Sequence, residues 1–380
     1  MKPSILQVVP SLDAGGAERT TIDIAAALAR EGYGALVASE GGRMEGELLR
    51  AGGELIRFRA STKNPAAIWR NAGGLAGIIR ERNISLIHAR SRAPAWSALI
   101  AARRTGIPFL TTYHGIYNAH GPLKRWYNSV MARGDCVIAN SQWTAEHVLK
   151  TYPDARDRLA VIPRGIDLSY FDSSAVSPDR VSAIRDGWGF LGGERVVFLP
   201  GRLTRWKGQH VFAAALARLN SAGRWPKDAR AVIAGDPQGR DGYAGELTRA
   251  IAEAGLQESM IVAPHVSDMA AAYLASEIVV SASIEPEAFG RVPPEAASMG
   301  RPAIATDHGG ARETVLAGES GFLVKPGDTT ALAETIAKLL SLAPEQRAAM
   351  GAKGRSHIAA RFTLERMCAD TLAVYKRLIR

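Results

Sequence analysis

Three basic side chains lie close together in the segment Gly201-Arg202-Leu203-Thr204-Arg205-Trp206-Lys207-Gly208. An apolar run at 195–199 predicts a strand before this segment, and the apolar spacing at 208–222 predicts a helix after it. Open α/β sheets bind ligands at the carboxyl ends of their strands, where guanidinium and ammonium groups suit a diphosphate. We therefore predict a phosphate site that includes Arg202 and Lys207. Solvated surface charges are the alternative.

Two carboxylates separated by seven residues lie in the segment Glu287-Ala288-Phe289-Gly290-Arg291-Val292-Pro293-Pro294-Glu295. The Phe289-Gly290-Arg291 stretch can offer backbone N–H groups, and Pro293-Pro294 predicts the start of a helix. Glu295 would lie in the first turn of that helix, where a favourable interaction with the helix dipole is enough to explain a carboxylate. Glu287 is predicted in a loop, where no such structural role explains it, so it is the stronger functional candidate.

The Gly15-Gly16 pair lies between a predicted strand at 5–9 and a predicted helix at 17–30. Backbone amides at such a junction can bind a phosphate, although a tight turn explains the glycines equally well. The chain contains no Asp-x-Asp pair of the kind that holds a metal–diphosphate complex. No metal site is predicted.

Short apolar runs alternate with helical patterns along the whole chain, which indicates α/β structure with parallel sheets covered on both faces. We predict two Rossmann-like, doubly wound domains at 1–165 and 191–360, joined by a connection at 166–190. A final helix at 361–380 could pack back on the first domain. Two such sheets in tandem are expected to place a cleft between their carboxyl edges.

The composition excludes several classes of protein. With 380 residues, of which 47% are hydrophobic, the chain is too long for one typical domain and too apolar to be disordered. Cys136 and Cys368 show neither zinc-ligand nor disulfide-framework spacing, which favours a reducing, cytoplasmic compartment. The apolar stretch near the N-terminus is cut short by Pro10 and Asp13, so no signal peptide is predicted.

The positive charge is concentrated in the first half of the chain. Of the net +10, residues 1–165 supply 22 Lys and Arg against 13 Asp and Glu. The stretch 57–133 holds 13 basic residues and a single acid, Glu81. Such a surface attracts an anionic partner. Aromatic residues are interleaved with these charges: Trp69, Trp96, Tyr117, Trp126 and Tyr127.

Several of these segments together resemble the retaining glycosyltransferases of the GT-B fold, family four, from about residue 5 to 330. The Glu-seven-Glu element in its Glu-x-Phe-Gly context is highly specific. The segments are Gly15-Gly16-Ala17-Glu18, Val161-Ile162-Pro163-Arg164-Gly165-Ile166-Asp167, Gly201-Arg202 with Lys207-Gly208, Glu287 to Glu295, and Gly309-Gly310 with Glu313.

The resemblance implies a role for each candidate residue. Arg202 and Lys207 would bind the donor diphosphate, Glu287 the sugar hydroxyls and Glu295 the ribose. Backbone groups of Phe289, Gly290 and Arg291 would contact sugar and phosphate, with Gly15 and Gly16 contacting phosphate from the first domain. His114, at the end of a predicted strand, would lie near the reacting sugar. The chain departs from the family at Arg90, where His is common, and at Arg164, where Asn is common.

The implied activity is retaining transfer of a hexose-type sugar from a UDP- or GDP-sugar, with no metal and no other cofactor. Arg202 and Lys207 would stabilise the departing diphosphate, and the acceptor would attack from the same face. The basic half suggests a glycan or glycolipid acceptor, such as a lipopolysaccharide core, and peripheral binding to an anionic membrane at its inner face. The alternatives are a glycosyltransferase with a soluble acceptor, a nucleic-acid-binding protein and a Rossmann oxidoreductase. Neither a nucleic-acid-binding motif nor a correctly placed dinucleotide fingerprint supports the last two.

Overall fold

The computed structural model describes residues 2–13, 15–117, 121–190, 192–237, 239 and 241–379. They form two compact units. The first unit comprises residues 2–165 and 364–379, and the second unit comprises residues 166–363.

The first unit is built on seven parallel strands in the order β3-β2-β1-β4-β5-β6-β7. The strands are β1 Ser4–Val8, β2 Gly34–Ser39, β3 Glu54–Arg57, β4 Ile84–Ala89, β5 Phe109–Tyr113, β6 Cys136–Ala139 and β7 Leu159–Val161. The helices are α1 Gly16–Arg30, α2 Glu45–Arg50, α3 Pro65–Glu81, α4 Arg92–Thr105, α5 Pro122–Asn128, α6 Gln142–Thr151 and, from the end of the chain, α15 Leu364–Ile379. The strand order reverses between β1 and β4, which is where such sheets bind ligands.

The second unit has six parallel strands in the order β10-β9-β8-β11-β12-β13. They are β8 Arg195–Pro200, β9 Ala229–Ala234, β10 Met260–Ala263, β11 Ile278–Ser281, β12 Ala303–Thr306 and β13 Gly321–Val324. The helices are α7 Pro178–Gly187, α8 Gln209–Ser221, α9 Asp241–Glu253, α10 Met269–Leu274, α11 Val292–Ser298, α12 Ala311–Thr314, α13 Thr329–Ser341 and α14 Pro344–Arg361. Here the order reverses between β8 and β11.

Both faces of each sheet are covered, as the continuous apolar runs predicted. In β8, Val197 and Leu199 belong to one buried cluster, whereas Val196 and Phe198 belong to another. Successive strand residues point to opposite faces, so a strand buried on both sides must be apolar throughout. The predicted fold of two parallel, doubly wound α/β sheets is confirmed.

The segment 166–190, expected as a connection, lies inside the second unit. It contains α7, which Ser177 caps by accepting a hydrogen bond from the Arg180 backbone N–H. None of the residues of α7 is fully buried, and its apolar contact with the core is limited to the partly buried Val181 and Ile184. Such a narrow apolar face is a weak helix signal in a sequence.

The C-terminal helix α15 starts at Leu364 and forms part of the first unit. Its Tyr375 is buried, and its hydroxyl lies 2.7 Å from Nδ1 of His88 on β4. Across the described parts of the chain, every helix is too short or too polar to cross a membrane.

Candidate functional site

The loops after β8 and β11, at the switch point of the second sheet, are held tightly against each other. Gly208 is the N-cap residue of α8, and a Cβ at this position would lie 1.9 Å from the carbonyl oxygen of Ala282. The backbone N–H of Ile284 donates to the Trp206 carbonyl over 2.7 Å. The two loops can approach this closely only because residue 208 is glycine.

Lys207 and Glu287 meet in these loops as an ion pair. The Lys207 Nζ donates to Glu287 Oε2 over 2.7 Å, and the Ser283 hydroxyl donates to Oε1 over 2.6 Å. Only 13% of the Lys207 side chain and 18% of the Glu287 side chain are exposed. Burial acts to raise the pKa of Glu287, but the Lys207 charge and the hydrogen bonds from Lys207 and Ser283 outweigh it. The pKa therefore falls below its usual value, and the carboxylate stays ionised.

The loop after β12 fixes the backbone of Glu287. Gly309 has φ +62°, and a Cβ there would lie 2.2 Å from the Glu287 carbonyl oxygen. The Gly310 N–H donates to the same oxygen over 3.0 Å. His308 Nε2 donates to the Ser283 carbonyl over 2.8 Å. Three loops at one sheet edge thus position a single carboxylate.

Arg202 is exposed beside the Lys207–Glu287 pair. Its guanidinium lies 5.9 Å from the ring centre of Trp206, and the Lys207 ammonium lies 4.6 Å from the same ring. The Arg202 carbonyl accepts a hydrogen bond from the Gln209 side chain over 2.8 Å. The backbone at Arg202 is thereby fixed while its side chain reaches solvent.

Glu295 belongs to a separate hydrogen-bond set. Arg291 Nε donates to Glu295 Oε1 over 2.6 Å, and the Tyr273 hydroxyl donates to Oε2 over 2.9 Å. Burial and the adjacent carboxylate raise the pKa of Tyr273 well above its usual value, so it remains a donor. Phe289 is buried, and Gly290 follows it with φ +74°. Helix α11 begins at Val292, as the two prolines predicted.

In the first unit, Arg164 connects two of the predicted site residues. Its guanidinium lies over Gly16, where an added Cβ would be 2.1 Å from Nη1. Its Nη2 lies 3.0 Å from Nδ1 of His114, which directly follows β5. Gly15 is the N-cap residue of α1. The Arg164 guanidinium therefore links the turn after β1 to the end of β5.

The geometry fixes the protonation of His114. A guanidinium can only donate, so Nδ1 accepts the hydrogen bond from Arg164 and the ring proton lies on Nε2. Burial, followed by the charges of Arg164 and Arg90, holds the pKa of His114 well below its usual range. The Nε2 atom is buried and has no partner among the described residues. His114 is a neutral ring with one available donor.

A small cavity beside His114 has several hydrogen-bond donors among its lining side chains. Arg90 borders it, almost completely buried, with Nε donating to Gln7 Oε1 over 2.8 Å. The side-chain nitrogen of Asn140 borders it too and has no partner in the described structure. Arg90 and Arg164, the two departures from the family pattern, thus occur together.

Some side chains of the basic surface predicted in the first unit make contacts within the protein, whereas others are exposed. Arg103 pairs with Asp135 at 3.0 Å, the Arg104 guanidinium lies 4.4 Å from the Trp69 ring centre, and Arg125 donates to the Thr151 carbonyl. On α5, Leu123 and Trp126 are 83% and 57% exposed, and Lys124 beside them is also exposed. We call Leu123 to Trp126 the α5 patch.

Sequence reasoning missed Ser283, His308 and Tyr273. Ser283 and His308 lie two residues beyond the ends of β11 and β12, so their position relative to the strands could have indicated them. No local signal marks Tyr273, which lies on α10 and reaches Glu295 only through the fold. No cluster of three or more potential metal-ligating His, Cys, Asp or Glu occurs in the described part of the chain.

Known structures resemble the whole chain. A glycosyltransferase from Rickettsia africae ESF-5 is 35% identical, covers 100% of this chain and 99% of its own, and gives a TM-score of 0.92. Anabaena HepE in complex with UDP-glucose is 27% identical, with 98% and 99% coverage and a TM-score of 0.83. Together with the two parallel sheets, these similarities define a glycosyltransferase of the GT-B class.

Sequence comparison identifies the family. Residues 14–170 match the model of Glycosyltransferase Family 4, and residues 181–357 match that of Glycosyl transferases group 1. A D-inositol 3-phosphate glycosyltransferase of Segniliparus rotundus is 30% identical over 326 residues, which cover 80% of this chain and 70% of that protein. The chain belongs to glycosyltransferase family 4, as its motifs indicated.

Proposed function

We propose that this glycosyltransferase moves a hexose-type sugar from a UDP- or GDP-sugar to a glycan or glycolipid of the cell envelope, with retention at the anomeric carbon and without a metal ion. The observation that carries the proposal is the Lys207–Glu287 pair, 2.7 Å apart beside the exposed Arg202. The similarity to Anabaena HepE, solved with UDP-glucose, supports a nucleotide-sugar donor.

Arg202 and Lys207 supply the charge that the leaving group needs. Breaking the anomeric C–O bond leaves a diphosphate with increased negative charge, and prepositioned cations stabilise that transition state. The Lys207 ammonium has three N–H donors, of which Glu287 uses one. The remaining donors are available to the phosphate, so one side chain holds the sugar-binding carboxylate and meets the leaving group.

The hydrogen bonds that Glu287 already accepts favour attack by the acceptor on the same face of the sugar as the leaving group. A covalent route needs a carboxylate that is free to attack the anomeric carbon. Both Glu287 oxygens already accept hydrogen bonds, from Lys207 and Ser283. We assign Glu287 to sugar hydroxyls, and the departing phosphate takes the proton of the acceptor hydroxyl. Glu295, oriented by Arg291 and Tyr273, is assigned to the ribose.

His114 acts as a hydrogen-bond donor in this scheme. Its proton lies on Nε2, and its pKa is too low for it to become charged near neutral pH. A neutral donor can bind a sugar hydroxyl. Gly15 and Gly16 offer backbone groups to phosphate at the start of α1.

The α5 patch supports an acceptor at an anionic membrane surface, such as a lipid-linked or lipopolysaccharide-core glycan. Exposed Leu123 and Trp126 next to Lys124 combine apolar and cationic groups, as interfacial anchors do. The protein would then act as a peripheral enzyme on the inner face of the cytoplasmic membrane.

A soluble, phosphorylated polyol is the second candidate acceptor. Relatives 28% and 30% identical to this chain are D-inositol 3-phosphate glycosyltransferases. The guanidinium groups of Arg90 and Arg164 at the His114 cavity favour an anionic acceptor.

A turnover screen tests the proposal. UDP- and GDP-hexoses are offered with lipid-linked glycans and with inositol phosphate, and the anomeric configuration of the product is read by NMR. We expect transfer with retention that survives EDTA. An inverted product would contradict retention. Activity that is lost in EDTA and restored by Mg²⁺ or Mn²⁺ would contradict metal independence.

A further inference from the structure

A second cavity lies in the second unit at the amino ends of the strands. It has a volume of about 320 Å³. Glu277, in its wall, directly precedes β11, and Arg301 and Pro302 precede β12. The candidate donor residues follow the carboxyl ends of the same strands. The cavity is therefore at the opposite edge of the sheet from the proposed donor site. Its lining residues are Glu277, Gly300, Arg301, Pro302, Pro344, Arg347, Ala348, Ala352 and Arg355.

Three arginines line this cavity, against one acid. Arg347 is nearly buried, and its Nη2 lies 2.7 Å from Glu277 Oε2. Arg301 Nη2 donates to the Leu274 carbonyl over 2.7 Å. Arg355, at the exposed end, lies 3.0 Å from Asp172, which is outside the lining. Glu277 is the one carboxylate among the lining residues that the structure describes, so the wall has a net positive charge.

Arg301 has hydrogen-bonding capacity that the described protein atoms do not fill. Its Nε atom is buried and has no partner among them. Burial lowers the pKa of the Arg301 guanidinium; the Glu277 charge opposes this effect, and the Arg347 charge adds to it less strongly. The Arg347 guanidinium is already satisfied by Glu277 and by backbone carbonyls. The buried Arg301 Nε, in a wall with three arginines and one carboxylate, still calls for an acceptor, and an anion fits that charge.

We propose that this cavity binds a phosphate group, free or as the phosphomonoester of a small metabolite. Planar guanidinium groups match the oxygens of a phosphate and bind it with charge-assisted hydrogen bonds. The volume exceeds that of orthophosphate alone and reaches the range of small-molecule pockets, about 300–1,000 Å³. Pro344, Ala348 and Ala352, on α14, offer an apolar wall for the body of such a metabolite.

The test places a competing carboxylate in the cavity. Ala352 lines it and is exposed on α14, so Ala352→Glu is compatible with the helix and puts an acid among the arginines. Ala349 is exposed on the same helix and outside the lining, so Ala349→Glu is the matched control. Ala348→Glu provides a second lining variant in case Ala352→Glu does not fold.

Calorimetric titrations of the full chain with inorganic phosphate and with glycerol 3-phosphate measure binding. We expect the lining variants to weaken it by about tenfold or more, equivalent to about 1.4 kcal/mol, and Ala349→Glu to leave it unchanged. Tighter binding of glycerol 3-phosphate than of phosphate identifies a phosphomonoester site, and equal affinity identifies a site for phosphate itself.

A third variant separates this cavity from the donor site. Lys207→Met alters the proposed donor site, so it should lower kcat by about 10²–10³ but keep phosphate binding at the cavity. Binding lost in Lys207→Met and kept in both lining variants would overturn the inference, as would an absence of binding to the wild type. Failure of the sugar-transfer assay alone would leave the cavity result standing.

Discussion

Lys207 has two tasks in the proposed site that substitutions can separate. It neutralises the largely buried carboxylate of Glu287, and it presents charge to the donor diphosphate. The first task is structural and the second is chemical, because only the second changes as the glycosidic bond breaks.

We predict that Lys207→Met lowers both stability and kcat. An unpaired buried carboxylate costs about 3 kcal/mol, and loss of a transition-state cation costs about 10²–10³ in kcat. Adding Glu287→Gln should restore most of the stability, because no unpaired charge remains, but none of the activity. Urea unfolding and steady-state kinetics of the two variants measure this. A double variant with recovered kcat would show that Lys207 acts only by neutralising Glu287.

Residue type and position identified Lys207 and Glu287 as candidates, but not their direct contact. The contact requires the loops after β8 and β11 to meet, which depends on strand order and not on local sequence. Tyr273 is a clearer case, because it reaches Glu295 from α10 and nothing near it in the sequence marks it.

At the level of loops, the backbone at Glu287 is held by the glycine turn after β12. We predict that Gly309→Ala displaces Glu287, because the new Cβ would lie 2.2 Å from its carbonyl oxygen. Gly318→Ala is the control, since Gly318 also has positive φ but a Cβ added there would meet nothing within 4 Å. In both variants, forcing alanine into the left-handed conformation should lower the free energy of unfolding by about 1 kcal/mol.

Only Gly309→Ala should in addition lower kcat, by about tenfold or more if the displacement approaches 1 Å. Thermal unfolding and kcat measured on both variants decide this. Wild-type kcat in Gly309→Ala would mean that the position of the Glu287 backbone does not matter for catalysis.

Elements with buried faces were predictable from sequence, and exposed ones were not. Residues 196–199 of β8 form a continuous apolar run because helices cover both faces of that sheet. In β1 the apolar run is interrupted only by the buried Gln7. Helix α7 has no fully buried residue and packs only the partly buried Val181 and Ile184 on the core, so its sequence is typical of a connection. The sequence therefore indicates mainly which elements are buried. For an element with little burial, such as α7, the main remaining signals are the capping Ser177 and the proline that follows it.

For the molecule as a whole, the buried His88 and the half-buried His114 should make the first unit sensitive to acid. Burial holds the pKa values of His88 and His114 well below 6.5. The unfolded chain binds these protons near pH 6.5 while the folded chain does not, so stability is full above that pH and falls below it. Between pH 7.5 and 5.5 each histidine should remove about 1.4 kcal/mol from the free energy of unfolding.

Comparison of urea unfolding for wild type, His88→Gln and the exposed-site control His265→Gln at both pH values tests this. The loss on acidification should be about 1.4 kcal/mol smaller in His88→Gln than in the other two proteins. Equal losses in all three would show that His88 takes up a proton in the folded state.

The asymmetric charge of the molecule leads to a prediction about membranes. The α5 patch combines exposed Leu123 and Trp126 with Lys124, whereas Arg103, Arg104 and Arg125 make contacts within the protein. A Lys near an anionic bilayer contributes about 1 kcal/mol, and an inserted Leu about 1.5 kcal/mol or more. Leu123→Ser with Lys124→Glu should therefore reduce vesicle binding by more than about tenfold.

Co-sedimentation with phosphatidylcholine vesicles of rising phosphatidylglycerol content measures this binding. The control variant, Leu49→Ser with Lys227→Glu, removes the same two side-chain types at exposed positions outside the patch. Wild type and control should sediment increasingly with anionic lipid, whereas the patch variant should stay in solution. Because salt screens the charge term but not the apolar one, raising ionic strength should release part of the wild type. Equal sedimentation of all three proteins, or none of the wild type at low salt, would assign the basic half to a soluble anionic acceptor.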